Sequence, residues 1–534
     1  MAVPEVLIPK LKITTTRLAL YAACFLVLVT NGAFFRHVLT VYPADLQHGG
    51  FLASLTVGVT AMIMLFLTLF SSKYTTKFIV ILLLLVSSLV AYFMDTYDVV
   101  IDVTMIQNIV QTNFQEAADL FSLRLLLYFI LLGVLPAGLV YSMQLEDLPW
   151  KQAIIIKLRD AGIALAVVLG MVLLFSNYYA DFFRSQKSLR YFANPLYYIY
   201  SSGKYITNAL KEQSGVINPL GVDARIASQN RRRELIIVVI GEAARADHFS
   251  LNGYARDTNP LLRHEDIISF TNMYACGTTT AYSVPCMFSI YPRADYSDGK
   301  AASTENLLDV LRHAGVHVLW RDNNSSSKGV TARVEYEEFK SPATNPICDV
   351  ECRDEGMLVG LQQYIDRQQT GDIVIILHQM GNHGPAYFKR YPPGFEKFTP
   401  VCKSNQLADC SKTEINNAFD NALLYTDYFL AKTITLLKHN TDRFAPAMLY
   451  FSDHGESLGD HGIYLHGLPY VIAPDEQKHI GAIFWFGDGF PIDKAVLRSK
   501  AADPFSHDNF FHTVLGLLSV ETSVYDQRLD MSHL

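Results

Sequence analysis

The first third of the chain consists of long apolar stretches separated by short polar segments. The stretches cover residues 18–35, 51–70, 78–94, 125–141 and 161–175. Each approaches the roughly 17 to 25 residues that a membrane-spanning helix requires, and each is nearly free of charge. Successive runs of this kind are not typical of the core helices of a water-soluble protein. The pattern therefore predicts an α-helical transmembrane domain of five spans over residues 1–178.

The first stretch also has features of a signal peptide, because basic residues precede it. Its apolar core, however, exceeds the roughly 7 to 15 residues usual for such a peptide, and no clear small-x-small cleavage site follows before Arg36. We therefore expect a retained signal anchor.

The charges between the stretches predict the orientation of the domain. Lys10, Lys12 and Arg17 precede the first span, Lys73 and Lys77 follow the second, and Lys151, Lys157 and Arg159 follow the fourth. Loops rich in Lys and Arg face the cytoplasm, whereas the segment after the third span is rich in Asp and Glu and should face outward. An odd number of spans then places the rest of the chain outside.

Two further regions follow the spans. Residues 179–230 interleave basic and aromatic side chains, which suits a bridging segment along lipid headgroups; an amphipathic packing helix is the alternative. From residue 231 to 534, short β-branched runs alternate with helical patterns, which predicts an α/β domain with a mainly parallel sheet.

Polar clusters follow three of these β-branched runs. The runs and clusters are 235–240 with Glu242, 373–377 with His378 and His383, and 447–451 with Asp453 and His454. Ligands of open α/β sheets bind beyond the carboxyl ends of the strands, so the clusters should converge. Imidazoles mixed with carboxylates favour zinc over calcium, and manganese is the alternative.

A nucleophile for such a metal site is expected within residues 276–286. Three threonines follow Gly277 there and precede a helical pattern, whose N-terminus favours a phosphate. A hydroxyl needs a base or a metal to react at neutral pH. Spacing alone does not choose among Thr278, Thr279, Thr280 and Ser283.

Charge excludes one class of partner. The 534 residues carry 44 basic and 51 acidic side chains, a formal net charge of -7, and no basic block resembles a nucleic-acid footprint. We expect no nucleic-acid partner.

Cysteine usage supports the predicted outside location. Apart from Cys24 in the first stretch, the cysteines form three local pairs: Cys276 with Cys286, Cys348 with Cys352, and Cys402 with Cys410. An even count confined to the external half fits disulfides in an oxidising compartment, although six cysteines allow 15 connectivities. A zinc cluster is the rival interpretation, but no C-x-x-C spacing occurs.

These motifs together resemble the lipid A phosphoethanolamine transferases, which include the mobile colistin-resistance enzymes. The resemblance is carried by the residue blocks 241–248, 276–286, 320–329, 378–385 and 452–457. It implies an α/β/α fold like that of alkaline phosphatase. It also implies Thr280 as nucleophile, with Glu242, Asp453, His454 and the Thr280 oxygen as zinc ligands. His383 and His466 match positions that bind phosphoethanolamine or a second zinc ion and serve catalysis, and His378 matches a further substrate-site histidine near the metal. Ser325 and Lys328 match contacts to substrate phosphate, and Asn108, Thr112 and Glu116 match residues at the ethanolamine headgroup.

The activity that the resemblance implies is transfer of phosphoethanolamine from phosphatidylethanolamine to a lipid A phosphate through a covalent threonine intermediate. The resemblance further implies a monomer in the Gram-negative inner membrane, with its catalytic domain in the periplasm and one tight zinc site, a second zinc ion during turnover being the alternative. It also implies resistance to polymyxins. Alternative acceptors are a lipopolysaccharide core sugar or a glucan. Phosphoglycerol transfer, a sulfatase, a catalytically dead sensor and a transporter are further alternatives. The chain departs from the family pattern at Ala243, where Thr is usual, and at His461, where Asn is usual.

Overall fold

The computed structural model describes residues 12–112, 114–212, 217–227 and 231–533, without the side chains of residues 114–116, 211 and 212. Lys10, the side chain of Glu116 and the end of the predicted bridging segment lie outside the described part. The chain forms two compact units. The first comprises Met1–Val103 with Phe121–Lys204, and the second Thr104–Leu120 with Tyr205–Leu534.

Apolar helices make up the first unit. In chain order the helices up to residue 212 are α1 Thr15–Val29, α2 Gly32–Val41, α3 Gly49–Phe70, α4 Thr76–Tyr97, α5 Val103–Gln111, α6 Phe114–Asp119, α7 Leu123–Tyr128, α8 Leu135–Ser142, α9 Trp150–Leu174, α10 Ser176–Arg184 and α11 Leu196–Glu212. A π-helical turn, Phe129–Val134, joins α7 to α8.

Among the described residues, three helices are long and apolar enough to cross a membrane: α3, α4 and the continuous Leu123–Ser142. The pair α1 and α2 is bent by 59° and the pair α9 and α10 by 92°, and counting each pair as one span gives five. The first predicted stretch is therefore two helices. The break falls at Asn31, whose side-chain amide donates to the carbonyl oxygens of Leu26 at 2.9 Å and Asn194 at 2.6 Å.

The second unit is built on a seven-stranded sheet. The strands in the described part of the chain are β1 Lys12–Ile13, β2 Gln144–Leu145, β3 Arg225–Ile226, β4 Glu234–Gly241, β5 Ile267–Phe270, β6 Met273–Tyr274, β7 His317–Asp322, β8 Glu335–Glu338, β9 Ile373–His378, β10 Ala445–Ser452, β11 Ser457–Asp460, β12 Ile463–Leu465, β13 Ala482–Phe486, β14 Phe505–Ser506 and β15 Val520–Glu521. The order of strands in the seven-stranded sheet is β5-β13-β10-β4-β9-β7-β8. Strand β13 runs antiparallel to both neighbours, and the other pairings in this sheet are parallel, as the sequence predicts.

Helices cover this sheet because its central strands are apolar on both faces, and β4, β9 and β10 are buried throughout. The remaining helices are α12 Thr280–Met287, α13 Asp298–Ala302, α14 Leu307–His313, α15 Leu361–Arg367, α16 Lys412–Lys438, α17 Lys494–Ser499 and α18 Phe510–Leu517. Disulfides join Cys276 to Cys286, Cys348 to Cys352 and Cys402 to Cys410, and Cys24 is free.

Candidate active site

The register of three parallel strands brings the polar clusters together at one edge of the sheet. Ile240 on β4 pairs with His378 on β9, and Gly241 pairs with Ser452 on β10. The next residues along β4 and β10 are Glu242 and Asp453. The convergence expected from the strand ends is therefore what the fold produces.

Four side chains form a compact donor set. The Thr280 hydroxyl donates to Oε2 of Glu242 at 3.0 Å, and its oxygen lies 3.3 Å from Nε2 of His454. The same Nε2 lies 3.2 Å from Oε1 of Glu242 and 3.4 Å from Oδ2 of Asp453. Glu242, Asp453 and His454 are fully buried, and Thr280 is 5% exposed.

This donor set fits a divalent metal ion. Glu242 Oε1 and Asp453 Oδ2 accept no hydrogen bond from any described residue, although burying a carboxylate without compensation is costly. Burial and the charge of Glu242 both raise the pKa of Asp453. Burial also raises the pKa of Glu242, but His454, His383 and His466 together outweigh it and keep that pKa low. Two carboxylates, one imidazole and one hydroxyl oxygen match the ligand types and number of a tetrahedral zinc site.

The local contacts distinguish Thr280 from the other hydroxyls that the sequence left open. Thr278 donates its hydroxyl proton to the carbonyl oxygen of Leu468 at 2.7 Å. Thr279 is the residue before α12, and Ser283 donates to the carbonyl oxygen of Asp453. Thr280 begins α12, and among the four it is the residue whose hydroxyl contacts the side chains of Glu242 and His454.

Two further histidines lie beside the donor set. The ring of His466 is centred 4.2 Å from that of His454 and 5.9 Å from that of His383. Glu242, His383 and His466 form a second group whose ligand atoms lie close enough to hold a metal ion. Glu456 binds Nδ1 of His466 at 2.7 Å, which leaves Nε2 as the ring nitrogen for exchange with a substrate.

His378 lies at the end of β9 and is fully buried. Its Nδ1 contacts Oδ2 of Asp322 at 2.9 Å, and Trp320 donates its indole N–H to the same oxygen at 2.9 Å. These contacts fix the orientation of the buried ring at the carboxyl end of β9, and its predicted role near the substrate stays a prediction.

Asn324 and Glu456 are site residues that the sequence reasoning missed. Asn324 donates its amide to Oε2 of Glu242 and to the carbonyl oxygen of Gln379, both at 2.7 Å. Tyr387 donates its hydroxyl to Glu456. Asn324 lies in the block 320–329 and Glu456 in the block 452–457, both of which carry the family resemblance. Membership of these blocks is the sequence signal that could have pointed to the two residues.

The predicted substrate contacts are distributed around the site. Ser325 is buried next to Asn324, and Lys328 lines a separate cavity. Asn108 lies on α5, and Thr112, just beyond its end, donates its hydroxyl to the Asn108 carbonyl oxygen at 2.7 Å. Helix α5 approaches the histidines, because the Met105 methyl lies 2.5 Å from where a Cβ on Gly467 would stand.

The two departures from the family pattern occupy different surroundings. Ala243 is buried at φ 56°, and its backbone N–H donates to Oδ1 of Asp453 at 3.1 Å. His461 is exposed at φ 53° in the turn between β11 and β12. Ala243 thus holds a predicted zinc ligand through its backbone, which a change of side chain preserves.

Arg390 connects three parts of the second unit, which is called the catalytic unit because it carries the candidate active site. Its Nε–H donates to the carbonyl oxygen of His383 at 2.6 Å, and its Nη2 binds Asp119 on α6 at 2.7 Å. Nη1 binds Glu351, next to the Cys348–Cys352 disulfide. The guanidinium is 3% exposed, so its three contacts are shielded from solvent.

Comparisons with known proteins agree on one group. A family model described as phosphoethanolamine transferase EptA/EptB matches residues 59–210, and a sulfatase family model matches residues 234–520. Phosphatidylethanolamine transferase Mcr-2 of Escherichia coli is 43% identical over 93% of this chain and 94% of its own. Phosphoethanolamine transferase EptA of E. coli K12 is 38% identical over 96% and 95%.

A solved structure extends the similarity over nearly the whole chain. It is the integral membrane lipooligosaccharide phosphoethanolamine transferase A of Neisseria meningitidis, with a TM-score of 0.94 and 34% identity. The match covers 98% of this chain and 99% of that one.

Proposed function

The chain belongs to the phosphoethanolamine transferase family, within the alkaline phosphatase superfamily, and on that premise we propose that it moves phosphoethanolamine from phosphatidylethanolamine to a phosphate of lipid A. The observation that carries the proposal is the buried Thr280 hydroxyl in contact with Glu242 and His454 and beside Asp453.

The first half-reaction is attack of the Thr280 oxygen on the phosphorus of phosphatidylethanolamine. A bond forms between that oxygen and phosphorus, and the bond from phosphorus to the glycerol oxygen breaks. The glycerol oxygen takes up a proton and leaves as diacylglycerol, while the Thr280 proton passes to a base. Phosphoethanolamine remains bound to Thr280 as a phosphodiester.

Glu242, Asp453, His454 and Thr280 would hold zinc. When bound, the ion lowers the pKa of the threonine hydroxyl and neutralises charge on phosphoryl oxygens. Glu242 keeps its position through Asn324, and Asp453 through the Ala243 N–H. The burial of these groups excludes water, which would otherwise hydrolyse the intermediate.

A histidine handles the proton in each half-reaction. His466 is suited to this because Glu456 holds its Nδ1 and orients the ring, and His383 is its neighbour. In the second half-reaction a lipid A phosphate oxygen attacks the same phosphorus, the bond to Thr280 breaks, and the threonine oxygen recovers a proton. The two steps predict ping-pong kinetics.

The membrane arrangement suits lipid substrates. We place five spans in residues 1–178, a bridging segment in 179–230 and the catalytic domain in 231–534. The catalytic domain faces the periplasm of a Gram-negative cell, and the protein acts as a monomer. Both lipids are present in the outer leaflet of the inner membrane. The added ammonium masks an anionic phosphate, which weakens binding of polycationic polymyxins.

Mass spectrometry after rapid quenching tests the proposed intermediate. The full chain in detergent, mixed with phosphatidylethanolamine alone, should carry one phosphoethanolamine on the peptide containing Thr280. Thr280→Ala should carry none, whereas Thr278→Ala, the same change two residues away, should retain the adduct. Normal turnover by Thr280→Ala would refute the mechanism.

A further inference from the structure

A cavity lined by both polar and apolar side chains lies in the catalytic unit beside the nucleophile's helix. Its volume is about 380 Å³, within the range of pockets that bind small ligands. Its walls come from α5, the second half of α12, α13, and the segments 304–306 and 328–333. None of the predicted zinc ligands, all of which are described, lines it.

Helix α5 supplies two side-chain amides with buried oxygens to this cavity. Gln107 and Gln111 are four residues apart, so they share one face of the helix. Gln107 is 9% exposed, and the side-chain oxygens of both residues accept no hydrogen bond within the described part of the chain. A buried amide oxygen without a hydrogen-bond donor is unfavourable, and a ligand hydroxyl would supply that donor.

The charged residues of the lining differ in how they are used. Arg333 is bound through two nitrogens to Asp309, at 2.7 and 2.6 Å, and Glu305 accepts the Leu220 N–H at 2.9 Å. Asp298 instead lines the cavity, and its carboxylate accepts a hydrogen bond from the Tyr296 hydroxyl at 3.3 Å. The side chain of Gln107 also forms a hydrogen bond with this carboxylate.

This combination of groups selects a class of ligand. Amides and a carboxylate bind hydroxyl groups, and a basic residue, Lys328, belongs to the same lining. A phosphorylated sugar offers both the hydroxyls and the anion that this lining recognises.

The cavity and the candidate active site border the same two helices. Pro285 lines the cavity and is five residues after Thr280 on α12, which corresponds to about 7 to 8 Å along the helix axis and about 140° around it. On its other side α5 approaches Gly467, next to His466, through Met105. A sugar in the cavity would therefore contact the two helices that also border the candidate active site.

We propose that this cavity binds the phosphorylated glucosamine headgroup of the acceptor, with Gln107, Gln111 and Asp298 on the sugar hydroxyls. The inference rests on the proposed transferase function and adds the site of the second substrate. It predicts that these residues act only in the second half-reaction.

The two half-reactions can be measured separately with the full chain in detergent. Release of diacylglycerol from phosphatidylethanolamine, without acceptor, reports the first as a burst. Transfer to purified lipid A at varied concentration reports the second. The variants are Gln107→Ala and Asp298→Asn, and the matched control is Asp295→Asn, the same change at an exposed position three residues earlier.

We expect both variants to keep the burst of the unmodified protein and to raise the KM for lipid A about tenfold, while Asp295→Asn changes neither. An unchanged KM in both variants would overturn the proposal. A burst reduced together with transfer would also overturn it, because the residues would then serve the donor step or the fold. Absence of burst and transfer in the unmodified protein would instead refute the proposed function.

Discussion

The carboxylate of Glu242 is positioned by the amide of Asn324, and this dependence gives a prediction at the scale of single residues. Removal of a group that orients a metal ligand typically lowers metal affinity by about 10- to 100-fold. Asn324→Ala should therefore lose zinc to a competing chelator at a correspondingly lower chelator concentration.

Asn323→Ala is the matched control for that measurement. Asn323 donates to the carbonyl oxygen of Cys352 and to Asp354, and so makes no contact with the donor set. Equal zinc retention by the two variants would show that the contact between Asn324 and Glu242 does not support the metal.

His507 gives a prediction about pH and stability. The ring is buried, and its Nδ1 accepts the Cys276 N–H while its Nε2–H donates to the carbonyl oxygen of Ser452. Burial lowers the pKa of His507 to about 3 from its ordinary 6.5. Between these values the unfolded chain binds the extra proton and the folded chain does not, so stability falls as the pH drops below 6.5.

The expected size of this effect is about 2 kcal/mol at pH 5. Denaturant titrations of the full chain in detergent at pH 7 and pH 5 should show a smaller loss of unfolding free energy in His507→Gln than in the unmodified protein. The control is His533→Gln at an exposed position. Equal pH dependence in His507→Gln and the unmodified protein would contradict this account.

Residue chemistry made much of the site predictable. Carboxylates and imidazoles after strand ends pointed to Glu242, Asp453 and His454, because parallel strands share an edge. The contact of Asn324 with Glu242 could not be predicted from the sequence, because an asparagine in a loop is also typical of a turn.

At the scale of elements, α6 is tied to the site through Asp119 and Arg390. Because Arg390 also holds the carbonyl oxygen of His383, loss of this ion pair should disturb the histidine. We expect Asp119→Asn and Arg390→Lys to lower kcat about tenfold, equivalent to about 1.4 kcal/mol in the barrier. The double variant should be no worse than Arg390→Lys, since both changes break one connection.

Arg321→Lys is the matched control for this ion pair. Arg321 is a buried arginine that binds Glu337 and the carbonyl oxygens of Met357 and Val359, with no contact to the site histidines. Its kcat should stay near that of the unmodified protein. Additive losses in the double variant, or an equal loss in Arg321→Lys, would indicate a general effect on folding.

The elements also show where hydropathy alone was insufficient. The apolar run at 18–35 predicted one span without a break. The side-chain amide of Asn31 donates to the carbonyl oxygens of Leu26 and Asn194, and the helix breaks there. The partner Asn194 is distant in sequence, so the pattern of apolar residues could not reveal the break. The same holds for the segment 104–120, which groups with the catalytic unit.

At the scale of the whole molecule, the chain combines membrane helices with an alkaline-phosphatase-like domain, and its relatives cover nearly its entire length. The sequence predicted this division because apolar stretches and β-branched runs occupy separate regions. Residues 104–120 lie between apolar stretches in sequence, yet they group with the second unit, together with Asn108 and Thr112.

Mass spectrometry of lipid A tests the central claim most directly. The full chain and Thr280→Ala are expressed in a polymyxin-sensitive Gram-negative host, and membrane levels of both are matched by immunoblot. We predict a phosphoethanolamine increment on lipid A with the unmodified chain and none with Thr280→Ala. Unmodified lipid A despite full expression of the unmodified chain, or an equal increment with Thr280→Ala, would contradict the account.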